Sequence, residues 1–136
     1  VNILRDLPSD LEQGRCYLPS VDLTIIGLTP EDLREEASWT KFEPIFHKWL
    51  NQANQYLADA WLYTLMIPHE HYRLRLACAW PILMGKKTLH LLQASNNPFE
   101  ARSKLKISRR EIRGILWSTT WRVPFRGPWN RLFGNK

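Results

Sequence analysis

Three oxygen-bearing side chains open the sequence at a spacing of four: Asn2, Asp6 and Asp10. On an α-helix, positions i, i+4 and i+8 stack along one face. Two carboxylates and an amide in a row make a hard, anionic oxygen surface. Magnesium prefers such ligands and completes its shell with water and phosphate oxygens. Arg5 precedes Asp6, and Arg15 follows just past Gly14. A guanidinium presents a planar fork of donors that matches phosphate oxygens. Metal ligands and phosphate donors therefore share one short segment. A D-x-x-x-D pair by itself is common, and a solvated helix face is its ordinary meaning.

The element that carries this face spans residues 1–13. Val1, Ile3, Leu4, Leu7 and Leu11 supply apolar positions at mixed spacings of three and four, and Gly14 is a natural stop. Pro19 opens a short helix that Gly27 ends. Thr29-Pro30-Glu31-Asp32 reads as a further helix start, with Thr29 as N-cap and Asp32 as a near-match to a capping box. A long amphipathic stripe runs from about Ser38 to Met66 and breaks at Ile67-Pro68. A second long helix covers about Glu70 to Ala94. Its middle, Leu74 to Met84, is apolar on most faces apart from Arg75, so burial on all sides is expected, with a kink at Pro81. Asn96-Asn97-Pro98 reads as a loop. A last helix is expected over Ser108–Ser118, with Ser108 as N-cap and Glu111 completing a capping box. Strand alternation, hairpin signals and internal repeats are absent, so the predicted class is all-α.

The 136 residues are one domain's worth of chain, and 44% hydrophobic with 24% charged residues is ordinary globular composition. Seven Trp bring a large apolar load. The net charge of +6 points to an anionic partner. Cys16 and Cys78 lack metal-ligand spacing and suggest no disulfide framework, so reduced thiols and a cytoplasmic location are expected. There is no apolar run long enough to span a bilayer and no signal-peptide pattern. The chain opens on Val1 within a helical pattern and without an initiator Met, as an internal fragment would.

The string Asn2-Ile3-Leu4-Arg5-Asp6-Leu7-Pro8-Ser9-Asp10, followed by Gly14-Arg15-Cys16-Tyr17-Leu18-Pro19, resembles the second aspartate-rich region of squalene and phytoene synthases. That family reads N-[IL]-[IL]-R-D-x-x-x-D, then G-R-x-[YF]-x-P, and the match has no gap. Leu76 through Met84 resembles the family's penultimate active-site helix, and Lys106 through Glu111 its C-terminal helix start. The order of the three motifs is also the family's. The resemblance implies the class I isoprenoid (terpenoid) synthase fold, here partial, with the C-terminal helices only.

It also implies roles. Asp6 and Asp10 would be magnesium ligands and the catalytic pair, with Asn2 an accessory ligand. Arg5 and Arg15 would bind diphosphate, and Tyr17 would sit near the substrate. Ala77, Cys78, Trp80, Pro81 and Met84 would line a dry pocket for an allylic carbocation, which water would quench. Trp80 could also offer it a π face. Many relatives carry an acid just before the second aspartate; here Ser9 stands there. The family's first aspartate-rich motif has no counterpart after Val1, so this polypeptide alone is expected to be inactive. The implied reaction joins two farnesyl diphosphates head-to-head, in the manner of a squalene synthase, with NADPH as hydride donor if squalene is the product. The alternatives are a phytoene synthase acting on geranylgeranyl diphosphate and a non-catalytic relative kept as an interaction module.

Residues 119–136 are read as a basic aromatic tail after a helical part, 1–118. From residue 101 onward the sequence holds ten Lys or Arg against one acid, Glu111, interleaved with Trp117, Trp121, Phe125, Trp129 and Phe133. Basic plus aromatic suits peripheral contact with an anionic membrane rather than nucleic acid. Packing of the tail back onto the helices is the competing expectation. His69 and His71 flank Glu70 with poor metal geometry and read as surface or capping residues. Lys86 and Lys87 read as solvated. Asp22, Glu31-Asp32 and Glu35-Glu36 read as solvated faces rather than a substitute metal motif.

Overall fold

The structure is a computed structural model that describes residues 1–95, 97, 99 and 106–134, with Arg126 described for its backbone only. Every regular element among the described residues is helical. They are α1 (Asn2–Glu12), α2 (Ser20–Ile25), α3 (Trp39–Met66), α4 (Tyr72–Gln93), α5 (Arg109–Arg122) and α6 (Arg126–Asn130), with short 3-10 turns at Asp32–Arg34, Glu36–Ser38 and His69–His71. The expected all-α class is the one found. Of the expected Asn96-Asn97-Pro98 loop, Asn96 and Pro98 lie outside the described residues, as do the basic residues Arg102, Lys104 and Lys136.

The chain forms two compact units, Val1–Ala53 with Leu89–Lys106, and Asn54–Thr88 with Ile107–Lys136. In the first unit α1 buries Leu4, Leu7, Pro8 and Leu11. Those positions recur at three and four residues, so one stripe faces inward and the opposite stripe faces water. Both glycine stops behave as expected. Gly14 takes φ +71° and Gly27 φ +67°, a conformation that costs a residue with a Cβ. At the first, Arg15 N–H donates to the Asp10 carbonyl at 2.8 Å and Gly14 N–H to the Leu11 carbonyl at 3.0 Å. At the second, Leu28 N–H reaches the Leu23 carbonyl and Gly27 N–H the Thr24 carbonyl, both at 3.0 Å. These are Schellman closures, which satisfy the last carbonyls of each helix. Further along, Trp39 meets Phe42, Phe46 and Phe99 edge-on, with centroids 5.5–6.1 Å apart. This geometry suits the quadrupoles of the rings. The reciprocal bonds read at Thr29 are formed: its N–H and hydroxyl both donate to Asp32 Oδ2, and its hydroxyl accepts from Asp32 N–H, but the element they precede is only the 3-10 turn Asp32–Arg34, with Glu31 at its N-cap position. Asp22 departs from expectation. It is buried, and it accepts from Lys48 Nζ at 2.7 Å and Trp49 Nε1 at 2.8 Å. A buried carboxylate needs such partners, and they lie a full element away in sequence.

The second unit is built around Trp61, Leu76, Ala79, Ile82, Val123 and Trp129. Trp61 stacks on Trp129 and on Phe133, with centroids 5.7 and 5.8 Å apart. The Arg75 guanidinium lies 5.1 Å from the Trp129 ring centroid. Three sequence expectations change here. First, α4 is not buried all round. Leu76, Ala79 and Ile82 face the core, while Leu74, Ala77 and Pro81 are exposed on the opposite stripe. Composition alone could not tell a helix apolar on two faces from one packed on both. Second, α5 continues past Ser118 to Arg122. The Thr119 and Thr120 hydroxyls bond back to the Ile115 and Leu116 carbonyls, so these polar side chains are satisfied within the helix, which ends just before Pro124. Third, the lysine pair is not simply solvated. Lys86 Nζ donates to the Phe133 carbonyl and sits 4.0 Å from that ring's centroid, and its burial lowers its pKa. Lys87 pairs with Glu111 at 3.2 Å. The capping box at Ser108 and Glu111 is formed in full.

Candidate functional site

The aspartate face is assembled by α1 alone. With Leu4, Leu7 and Leu11 turned inward, the helical period puts Asn2, Asp6 and Asp10 on the opposite stripe. Asn2 is exposed, and Asp6 and Asp10 are half-buried. The structure thus brings together the three predicted metal ligands on one accessible surface.

Arg5 is drawn into the same surface. Its Nε donates to Asp6 Oδ1 at 2.8 Å and its terminal nitrogen to Asp6 Oδ2 at 2.7 Å, a bidentate pair. These bonds hold the Asp6 carboxyl below its usual range despite partial burial, and the charge of Lys106 works in the same direction. They raise the pKa of Arg5 in turn. A carboxylate has about four acceptor directions, so the two bonds from Arg5 leave room for a cation or water on Asp6. Arg15 is placed by the Gly14 closure: its N–H caps the Asp10 carbonyl, and its exposed guanidinium donates to Gln13 Oε1. Tyr17 follows and is exposed. The Arg5 side chain is therefore bound to Asp6, whereas Arg15 is tied to Asp10 through its backbone.

No group of three or more His, Cys, Asp or Glu side chains suited to a metal occurs among the described residues. The donor set is two carboxylates and an amide. That set fits magnesium, which commonly binds through one or two carboxylates and keeps water or phosphate in the remaining positions. It would not build the closed cage of a structural zinc site.

The pocket candidates belong to the second unit. Ala77 and Pro81 are exposed on α4, and Cys78 and Met84 are half-buried beside them. Spacings of three and four place all four residues on one helical stripe. Trp80 lies at the edge of this stripe, and its Nε1 donates to Thr119 Oγ1 at 2.9 Å. The indole is thereby fixed against α5.

Two participants were not foreseen from sequence. Lys106 bears on Asp6 across nearly the whole chain, and no spacing rule could pair them. Thr119 orients Trp80, and only its position one residue past the expected helix end hinted at it. His69 has a ring nitrogen 3.2 Å from the Pro124 carbonyl, in keeping with a structural role.

The family model described as squalene/phytoene synthase matches residues 1–111. Its match takes in α1 with the aspartate face, α4 with the apolar stripe and the start of α5. Among curated proteins, the bifunctional protein CrtB/UppS of Streptomyces coelicolor (strain ATCC BAA-471 / A3(2) / M145) is 54% identical over 33 residues. That stretch is 24% of this chain and 6% of the relative, so this chain matches only a small part of that protein. No solved structure matches.

Proposed function

The chain belongs to the squalene/phytoene synthase family, and we propose from that premise that the Asn2–Asp6–Asp10 face is the diphosphate- and magnesium-binding half of a head-to-head prenyltransferase site. The all-α architecture agrees with the isoprenoid synthase type. The observation that carries the reading is the bidentate pairing of Asp6 with the Arg5 guanidinium, one turn from Asp10, on the face of α1 opposite its anchoring leucines.

Asp6 and Asp10 would hold magnesium, with Asn2 as an accessory ligand. When bound, the metal would neutralise the diphosphate and favour its departure from the allylic carbon. Arg5 can turn from Asp6 to phosphate oxygens as the carboxylate takes a cation, so both partners remain compensated throughout. Arg15 would donate to the same group from beyond Gly14. Such preset donors stabilise charge that grows as the C–O bond breaks. The stripe of Ala77, Cys78, Pro81 and Met84 offers no group able to attack a carbocation readily except the Cys78 thiol. Ala77 and Pro81 are exposed, so the stripe would exclude water only once a substrate chain covers it. Trp80, held by Thr119, would present a ring edge or face at the rim of that stripe.

The substrate we favour is farnesyl diphosphate, two molecules of which would be joined to give presqualene diphosphate and then squalene, with NADPH supplying the hydride. Geranylgeranyl diphosphate and phytoene formation are the runner-up, and product analysis of the full-length enzyme with both diphosphates separates them. Binding tests the site directly. Farnesyl diphosphate with magnesium should raise the melting temperature of this chain, and either one alone should raise it less. Asp6→Asn/Asp10→Asn should abolish the magnesium-dependent part. An unchanged shift in that variant would refute the site, and no shift in the native chain would favour a non-catalytic interaction module.

A further inference from the structure

Charge is divided unevenly between the two units. The second holds eleven Lys or Arg and three acids, Asp59, Glu70 and Glu111, while the first holds eight against ten. Four of those eleven basic residues, Arg109, Arg110, Arg113 and Arg122, lie on α5 against one acid. Arg109, Arg110, Arg113, Trp117, Thr120 and Trp121 are all exposed. At 100° per residue they occupy one arc of the helix, opposite the packed residues Ile115, Thr119 and Val123. Glu111, the sole acid of α5, is turned off this arc and is occupied by Ser108 and Lys87.

The aromatic end of the arc is conspicuously uncovered. Trp117 is 76% exposed and Trp121 74%, and Phe125, just beyond the helix, is 59% exposed. The two indoles stack on one another at 6.5 Å with their planes 13° apart. Leaving such area in water costs free energy unless a partner takes it up. The rest of the C-terminal segment behaves oppositely: Val123 and Trp129 are buried.

We propose that this arc of α5, with Phe125, is a docking surface for an anionic lipid bilayer. Arginines towards one end and exposed Trp117 and Trp121 towards the other, with Phe125 just beyond, put cationic and aromatic groups on one exposed face that can lie against the headgroup plane. Indole rings favour that boundary, where an apolar body and a polar N–H are both accommodated. The cationic end gains from the negative surface potential of anionic lipid. A second copy of the chain is a poor occupant, because a two-fold contact sets this face against itself and opposes its arginines. Single-stranded nucleic acid, which stacks bases on exposed aromatic faces, is the competing occupant that the test below separates. No helix among the described residues is long and apolar enough to cross a membrane, so the docking is peripheral. Unlike the reading of the aspartate site, it rests on no activity.

Co-sedimentation of the 136-residue chain with vesicles tests it. The chain should pellet with mixed phosphatidylcholine–phosphatidylglycerol vesicles and much less with phosphatidylcholine alone, and salt should weaken the binding. Arg110→Gln/Arg113→Gln should lower the partition roughly thirty-fold, and Trp117→Ala/Trp121→Ala about tenfold or more. Tyr56→Ala, an exposed aromatic on α3, should leave it unchanged. All three variants change exposed side chains, so an unaltered circular dichroism melt confirms that they fold. Equal pelleting with neutral lipid, or native-like binding by both double variants, overturns the proposal. So does tighter binding to a single-stranded oligonucleotide than to the vesicles, or a dimer in sedimentation velocity that the Trp variant abolishes.

Discussion

Trp129 decides whether the last eighteen residues are a tail or part of the fold. It is fully buried, stacks on Trp61 at 5.7 Å and lies under the Arg75 guanidinium. Truncation to Ala removes a large side chain from a packed site, which costs about 3–5 kcal/mol. Loss of a desolvated cation–π contact adds about 2 kcal/mol. One effect opposes these. The Trp129 indole N–H is buried without a hydrogen-bond partner, and removing an orphaned donor returns about 1–3 kcal/mol. The expected net loss for Trp129→Ala is therefore about 4 kcal/mol. With a urea slope near 2 kcal/mol/M, the midpoint should fall by roughly 2 M. Trp129→Phe keeps most of the ring and discards the orphaned donor, so its loss should be far smaller. Trp117→Ala, at an exposed position, should stay within about 0.5 kcal/mol. Far-UV circular dichroism in urea reads all three. If Trp129→Ala matches Trp117→Ala, the packed segment around Trp129 does not contribute to folding and the reasoning fails.

Asp22 gives a pH prediction. Its carboxyl is held below the ordinary range first by the Lys48 hydrogen bond and then, against some desolvation, by Trp49. A depressed folded pKa means stability that is complete above the unfolded value, about 3.9, and lost as pH falls towards the folded one. Urea midpoints of the native chain should therefore decline in this acid range more steeply than those of Asp22→Asn; parallel declines would remove Asp22 as the cause. Trp80→Phe deletes the donor to Thr119 Oγ1 and should cost about 1 kcal/mol, with the companion Thr119→Val showing little further effect in Trp80→Phe. Full additivity of the two substitutions would mean that the bond does not couple them.

What the sequence determined was whatever depends on short range. The aspartate face follows from a period of four within one helix, so Asn2, Asp6 and Asp10 could be placed together before any packing was known. The stops at Gly14 and Gly27 and the capping box at Ser108 and Glu111 likewise need only a few neighbouring residues. The family followed from the order of its motifs. Tertiary structure decided the rest, because the deciding partners lie far apart along the chain. Lys106 bears on Asp6, and Lys48 and Trp49 turn Asp22 from an apparent surface acid into a buried, paired one. Burial on one side of α4 and exposure on the other could not be read from a segment apolar on both. The C-terminal aromatics show the same division. Trp117, Trp121 and Trp129 share one basic, aromatic composition, yet two face water and the third closes a core, because only the third meets Trp61 and Arg75.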